Sequence, residues 1–121
     1  MQNHLLTANT ILYCRHWGQA VRFYRDYLRL PVLFEAEWFV EFGLTSTARL
    51  SIADEKRASV KSARGKGITL AMEVDDIRAV HVFLQQAGLR PTDIEPHVWQ
   101  ALFFYVFDPE GHRLEIWQIR K

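Results

Sequence analysis

The stretch Ala20-Val21-Arg22-Phe23-Tyr24 returns later in the chain as Ala79-Val80-His81-Val82-Phe83, with small, apolar and aromatic residues in matching places. Around the first copy, Trp17, Ala20, Val21, Tyr24 and Leu28 recur at steps of three and four, with Arg22, Arg25 and Asp26 between them. That spacing predicts an amphipathic helix starting near His16. Around the second copy, residues 75–87 form a helix with Ile77, Val80, Val82, Phe83 and Leu84 as its apolar face. Asp75 or Asp76 serves as its N-cap and Gly88 as its stop.

The segments flanking the two helices also match. Residues 9–14 (N-T-I-L-Y-C) read as a strand before the first helix, and Pro31 marks that helix's end. Strands follow over 31–35, 38–42 and 48–53, the last two joined by a turn at 43–46. Before the second helix, 68–74 is a strand; after it come strands at 89–93, 101–107 and 113–119. Asp108-Pro109-Glu110-Gly111 turns the chain between the last two. Each half is thus strand, helix and three strands, and the duplication predicts an α+β domain made of two βαβββ modules. The modules span about 7–54 and 67–119. Segment 55–66 between them has no apolar period and carries Lys56, Arg57, Lys61, Arg64 and Lys66. A solvated linker is the preferred reading of that charge run, ahead of an anion-binding loop.

Composition bounds the function. A chain of 121 residues fits one domain, and 49% hydrophobic residues supply a full core. A net charge of +1 lacks the basic excess of a dedicated nucleic-acid binder. The one cysteine, Cys14, excludes an internal disulfide framework and a cysteine zinc cluster. No apolar run is long enough to span a bilayer, and residues 1–7 do not have the pattern of a signal peptide. A cytoplasmic protein without a membrane or nucleic-acid partner is expected.

Alternation along the strands gives each side chain a face. Thr10, Leu12 and Cys14 share one face of the first strand, opposite Asn9, Ile11 and Tyr13. Leu70, Met72 and Val74 meet the second helix, which turns Thr69, Ala71 and Glu73 the other way. Leu114 and Ile116 point inward, leaving Arg113, Glu115 and Trp117 on the opposite face. Those second faces mix rings with a few polar groups, as a ligand cavity does. A dimer interface fits the same mixture.

Three of these stretches carry a resemblance. Residues 20–28 (A-V-R-F-Y-R-D-Y-L) and 108–116 (D-P-E-G-H-R-L-E-I), together with 67–76 (G-I-T-L-A-M-E-V-D-D), are similar to motifs of the glyoxalase / bleomycin-resistance / extradiol-dioxygenase superfamily, the vicinal oxygen chelate proteins. The likeness covers roughly residues 7–119. It implies paired βαβββ modules curled into a half-open barrel around a concave cavity, with helices outside, and a homodimeric assembly.

The resemblance also implies where metal-dependent members hold their ion: on the first strand of each module, on the last strand, and in some enzymes at a fourth place. Carried onto this chain, those positions are Asn9, Thr69, Glu115 and, in a loose register, Ser51. Enzymes carry His or Gln at the first and usually His at the second. Here a neutral amide and a hydroxyl stand in their place, and these are weak donors for a divalent transition metal. Lactoylglutathione lyase or ring-cleaving dioxygenase chemistry is therefore disfavoured, and the metal-free drug-binding members are the nearer analogy. No cofactor is expected; Glu115 is the one position left for a hard, water-filled divalent cation.

The expected function is binding of a small aromatic or cationic molecule in an aromatic-lined cavity. Its candidate ligand-binding residues are Asn9, Tyr13, Thr69, Trp99, Tyr105, Glu115 and Trp117, since rings with polar tips suit a flat or amphipathic ligand. An ion pair of Glu115 with Arg113 or Arg49 is the structural alternative for that carboxylate. The rival function is a metal-dependent lyase, isomerase or dioxygenase with atypical ligands. His16, His81 and His112 are expected at the surface or at caps, and His97 in a loop bordering the cavity. Cys14 is expected to be an inert buried thiol.

Overall fold

A computed structural model of the chain describes residues 1–120. The chain divides into two compact units, one comprising Met1–Arg64 and the other beginning at Gly65. The first contains β1 (Ala8–Cys14), α1 (Trp17–Arg22) with a π-helical turn running on over Phe23–Tyr27, β2 (Val32–Ala36), β3 (Phe39–Gly43) and β4 (Ala48–Asp54). The second contains β5 (Thr69–Glu73), α2 (Ile77–Gln86), β6 (Glu95–His97), β7 (Ala101–Phe107) and β8 (Arg113–Ile119). Both are open, curved four-stranded sheets with the same strand order, β1-β4-β3-β2 and β5-β8-β7-β6. In each, the first strand runs parallel to the last, and the third is antiparallel to both of its neighbours. The α+β class and the doubled βαβββ order read from the sequence are the architecture the chain adopts.

Register makes the duplication concrete. Asn9 pairs with Arg49, and Thr69 pairs with Arg113. Ser51 lies between Ile11 and Glu41, and Glu115 lies between Ala71 and Tyr105. Alternation then assigns the faces. In the first unit Leu12, Cys14, Val40, Phe42, Leu50 and Ile52 are buried with Ala20, Val21, Phe23 and Tyr24 of the helical segment. Trp17 anchors the start of α1 by donating its indole N–H to the Ile52 carbonyl at 2.9 Å. In the second unit Phe104, Val106, Leu114 and Ile116 are buried along with Ile77 and Leu84 of α2. Leu70, Met72 and Val74 are only half-buried.

Three local expectations are corrected. The first helix does not run as a single α-helix to Leu28. The chain widens into a π turn over Phe23–Tyr27, where the Leu28 amide reaches the Phe23 carbonyl at 2.9 Å, and Phe23 and Tyr24 are both buried. On α2, Val82 and Phe83 are exposed, because Ile77, Val80 and Leu84 alone share a helical stripe. The strand expected at 89–93 is displaced to Glu95–His97. Thr92 does lie against β7, its amide donating to the Tyr105 carbonyl at 2.8 Å. Its own carbonyl is taken by His81 Nε2 at 2.8 Å, and the Tyr105 amide turns to the Thr92 hydroxyl instead, also at 2.8 Å. A side chain thus replaces the main-chain partner and no regular ladder forms there.

Candidate functional site

On the face of the second sheet turned away from α2, a recess of about 320 Å³ opens. Alternation on β7 and β8 supplies Phe103, Glu115 and Trp117 to it, and β6 with the loop that follows supplies His97 and Trp99. Phe103 and Trp117 are direct cross-strand partners, as are Tyr105 and Glu115. His97 stands edge-on to Phe103 with centroids 5.5 Å apart, and Phe103 packs on Tyr105 at 5.2 Å. Trp99 is 78% exposed at the mouth, so its ring offers a face to whatever enters.

Glu115 is the charged group of this recess. It is half-buried, and its side chain forms no hydrogen bond or ion pair among the described residues. The cation beside it is committed elsewhere: Arg113 donates through Nε to the Thr69 hydroxyl at 3.1 Å and lies over the Tyr105 ring, 4.4 Å from its centroid. The alternative reading, an ion pair of Glu115 with Arg113, is therefore not made among the described residues. Arg49 pairs with Glu41 at 2.6 Å.

The seven candidate residues do not all come together. Trp99, Glu115 and Trp117 line one recess, with Tyr105 beside Glu115 on the neighbouring strand. Thr69 is engaged by Arg113 on the same sheet. Asn9 accepts a hydrogen bond from the Ser51 hydroxyl at 2.9 Å in the first unit, and Tyr13 lines a separate recess there. Asn9 with Ser51 and Thr69 with Arg113 are each engaged in a hydrogen bond, which leaves Glu115 as the one open oxygen donor among the four positions. Among the described residues, no three His, Cys, Asp or Glu side chains are grouped to hold an ion. These donors do not fit a divalent transition metal, because one carboxylate is a poor substitute for imidazoles.

The histidines divide differently from expectation. His16 precedes α1 at the cap position, and His81 latches α2 to the Thr92 carbonyl. His112, expected at the surface or in a cap, is buried instead. Its Nδ1 donates to Asp108 Oδ2 at 2.8 Å, and Asp108 Oδ1 accepts the amides of Glu110 and His112, each at 2.9 Å. The D-P-E-G-H turn is thus a buried polar knot, a role that its turn-forming residues gave little sign of. Phe103, which the sequence left open between cavity wall and ordinary core, lines the recess, and so does Ala101, which no sequence pattern placed there.

Comparison with known proteins agrees with this geometry at the level of the fold. The structure is similar to a glyoxalase/bleomycin resistance protein/dioxygenase from Nocardioides, with 17% identity, a TM-score of 0.78, and coverage of 97% of this chain and 84% of that one. It is also similar to lactoylglutathione lyase from Agrobacterium tumefaciens, with 19% identity, a TM-score of 0.77 and coverage of 95% and 93%. A glyoxalase family protein from Enterococcus faecalis gives 22% identity, a TM-score of 0.70 and coverage of 93% and 95%. No curated protein sequence matches significantly. The family model of the Glyoxalase/Bleomycin resistance protein/Dioxygenase superfamily, however, matches residues 2–116, almost the whole chain. With the doubled βαβββ sheets, that match makes this chain a member of the superfamily.

Proposed function

We propose that the chain binds a small, flat, positively charged aromatic molecule in the recess of its second unit, and does so without a metal ion. The observation that carries this reading is the unpartnered Glu115 carboxylate set among Phe103, Trp99 and Trp117. A half-buried carboxylate gains from a cationic partner, and a cation over an indole face gains about 0.5–2 kcal/mol more. The rings supply apolar area and stacking faces for the body of the ligand. A volume of about 320 Å³ accommodates a molecule of one or two fused rings. The donor set at the metal-ligand positions favours binding over lyase or dioxygenase chemistry, and the reading contains no bond-making step.

The test is calorimetric titration with N-methylquinolinium, with neutral quinoline as the control at pH 7.5. Saturable binding of the cation is expected, weakened about tenfold by Glu115→Gln and comparably by Trp117→Ala. Equal affinity for quinoline, or an unchanged affinity in Glu115→Gln, overturns the site. Stoichiometric nickel, zinc, manganese or iron in purified protein, lost in Glu115→Ala, overturns the metal-free reading.

A further inference from the structure

The first unit has a recess of its own on the face of its sheet turned away from α1, about 300 Å³ in volume. Ile11 and Phe39 give it apolar walls. Its polar side chains are rich in hydrogen-bond donors. The Trp38 indole N–H and the Arg57 guanidinium are donors with no acceptor capacity, and the hydroxyls of Tyr13 and Ser59 are free to donate. Tyr13, Trp38 and Ser59 make no hydrogen bond through their side chains among the described residues. No carboxylate lines the recess.

Arg57 is held in place by the segment that reads as a charged linker. Asp54 accepts the Lys56 amide at 3.0 Å and so caps the 3-10 turn Glu55–Arg57. Glu55 accepts the Ser62 amide at 2.9 Å, while Lys61 Nζ donates to the Glu55 and Ala58 carbonyls at 2.7 and 3.2 Å. The segment folds on itself and sets Arg57 and Ser59 beside the ends of β1 and β4. Among the described residues the acid paired with Arg57 is Glu37 at 4.0 Å, and with side chains 59% and 92% exposed this pair is weak and easily displaced.

We propose that this recess is a binding site for a small aromatic carboxylate. The ring lies against Ile11 and Phe39, and the carboxylate takes donors from Arg57 and Trp38, for which the guanidinium fork is well matched. The ligand is opposite in charge to the one proposed for the second unit, and no residue is shared between the two sites, so either stands or falls alone.

The experiment is calorimetric titration of the full chain with 1-naphthoate at low salt, with neutral 1-naphthamide as control. Saturable naphthoate binding is expected, at least about fivefold tighter than naphthamide and weakened about fivefold or more by Arg57→Gln. Glu37→Gln removes the competing carboxylate and tightens binding about twofold, while Glu115→Gln leaves it unchanged. Absence of saturable binding, equal affinity for naphthamide, indifference to Arg57→Gln, or a loss in Glu115→Gln each overturns the proposal. Arg57 is an exposed side chain, so its replacement leaves the fold intact and the result readable.

Discussion

Asp108 and His112 are joined at 2.8 Å inside the second unit, with side chains 0% and 2% exposed. The same carboxylate accepts two backbone amides, so three donors depend on one residue. Asp108→Ala leaves them all without a partner and is expected to lower stability by about 3 kcal/mol or more. Asp108→Asn keeps an oxygen for the two amides and should lose roughly half as much. Urea denaturation of both variants checks the order; equal effects would show that only the charge matters.

Gly65 provides a sharper steric test. Its φ is +80°, and a Cβ built there would lie 2.2 Å from the carbonyl carbon and oxygen of Gly111. Gly65→Ala is expected to destabilise by more than about 3 kcal/mol, since backbone cannot step aside as a flexible side chain can. Gly67→Ala meets nothing within 4 Å at a similar φ of +77°, and should lose only about 1 kcal/mol for backbone strain. Denaturation midpoints of the pair separate collision from conformation.

The start of α2 is held from two sides. Asp76 accepts the Ala79 amide at 3.1 Å, and the Gln118 side-chain oxygen accepts the Ile77 amide at 2.7 Å across to β8. Asp76→Ala should lower stability by about 1 kcal/mol, and Gln118→Leu by about 1–2 kcal/mol because it strands a part-buried amide. Amide exchange of Ile77 measures the second effect directly, and unchanged protection in Gln118→Leu would refute it.

On the surface after α1, the hydrogen bond from Arg25 holds the Asp26 carboxyl below its usual range, with the charge of Arg25 adding to the effect. A lowered native pKa means that the interaction is present above the ordinary aspartate range and is lost as pH falls through the native value. Carbon-detected titration should place Asp26 below an ordinary aspartate, and Arg25→Gln should raise it. Both side chains are exposed to solvent, which keeps any stability change small.

The parts of the fold legible in the sequence are those that rest on alternation and on turns. Leu114 and Ile116 against Glu115 and Trp117 set the faces of β8 correctly, and Asp108-Pro109-Glu110-Gly111 located the hairpin before it. The displaced β6 was not legible because His81, eleven residues away, captures the Thr92 carbonyl, and hydropathy does not encode such a side-chain competition. The π turn was hidden for a related reason: Ala20, Val21, Phe23 and Tyr24 share a broad stripe that an α-helix buries equally well, so their spacing carries no mark of the wider turn. At the site, Glu115 and Trp117 followed from the face of one strand. The commitment of Arg113 to Thr69 and Tyr105, which leaves Glu115 alone, depends on where one long side chain comes to rest.

Ser51 and Glu115 occupy one seat in two copies of the same sheet, as do Arg49 and Arg113. Main-chain pairing holds each seat in place, so a replacement there changes chemistry without renegotiating the scaffold. One copy has settled its arginine on Glu41 and its serine on Asn9, while the other has set its arginine on Thr69 and the Tyr105 ring and left an acid open. The doubled module thus carries two versions of one surface that differ in which of their charges are paired.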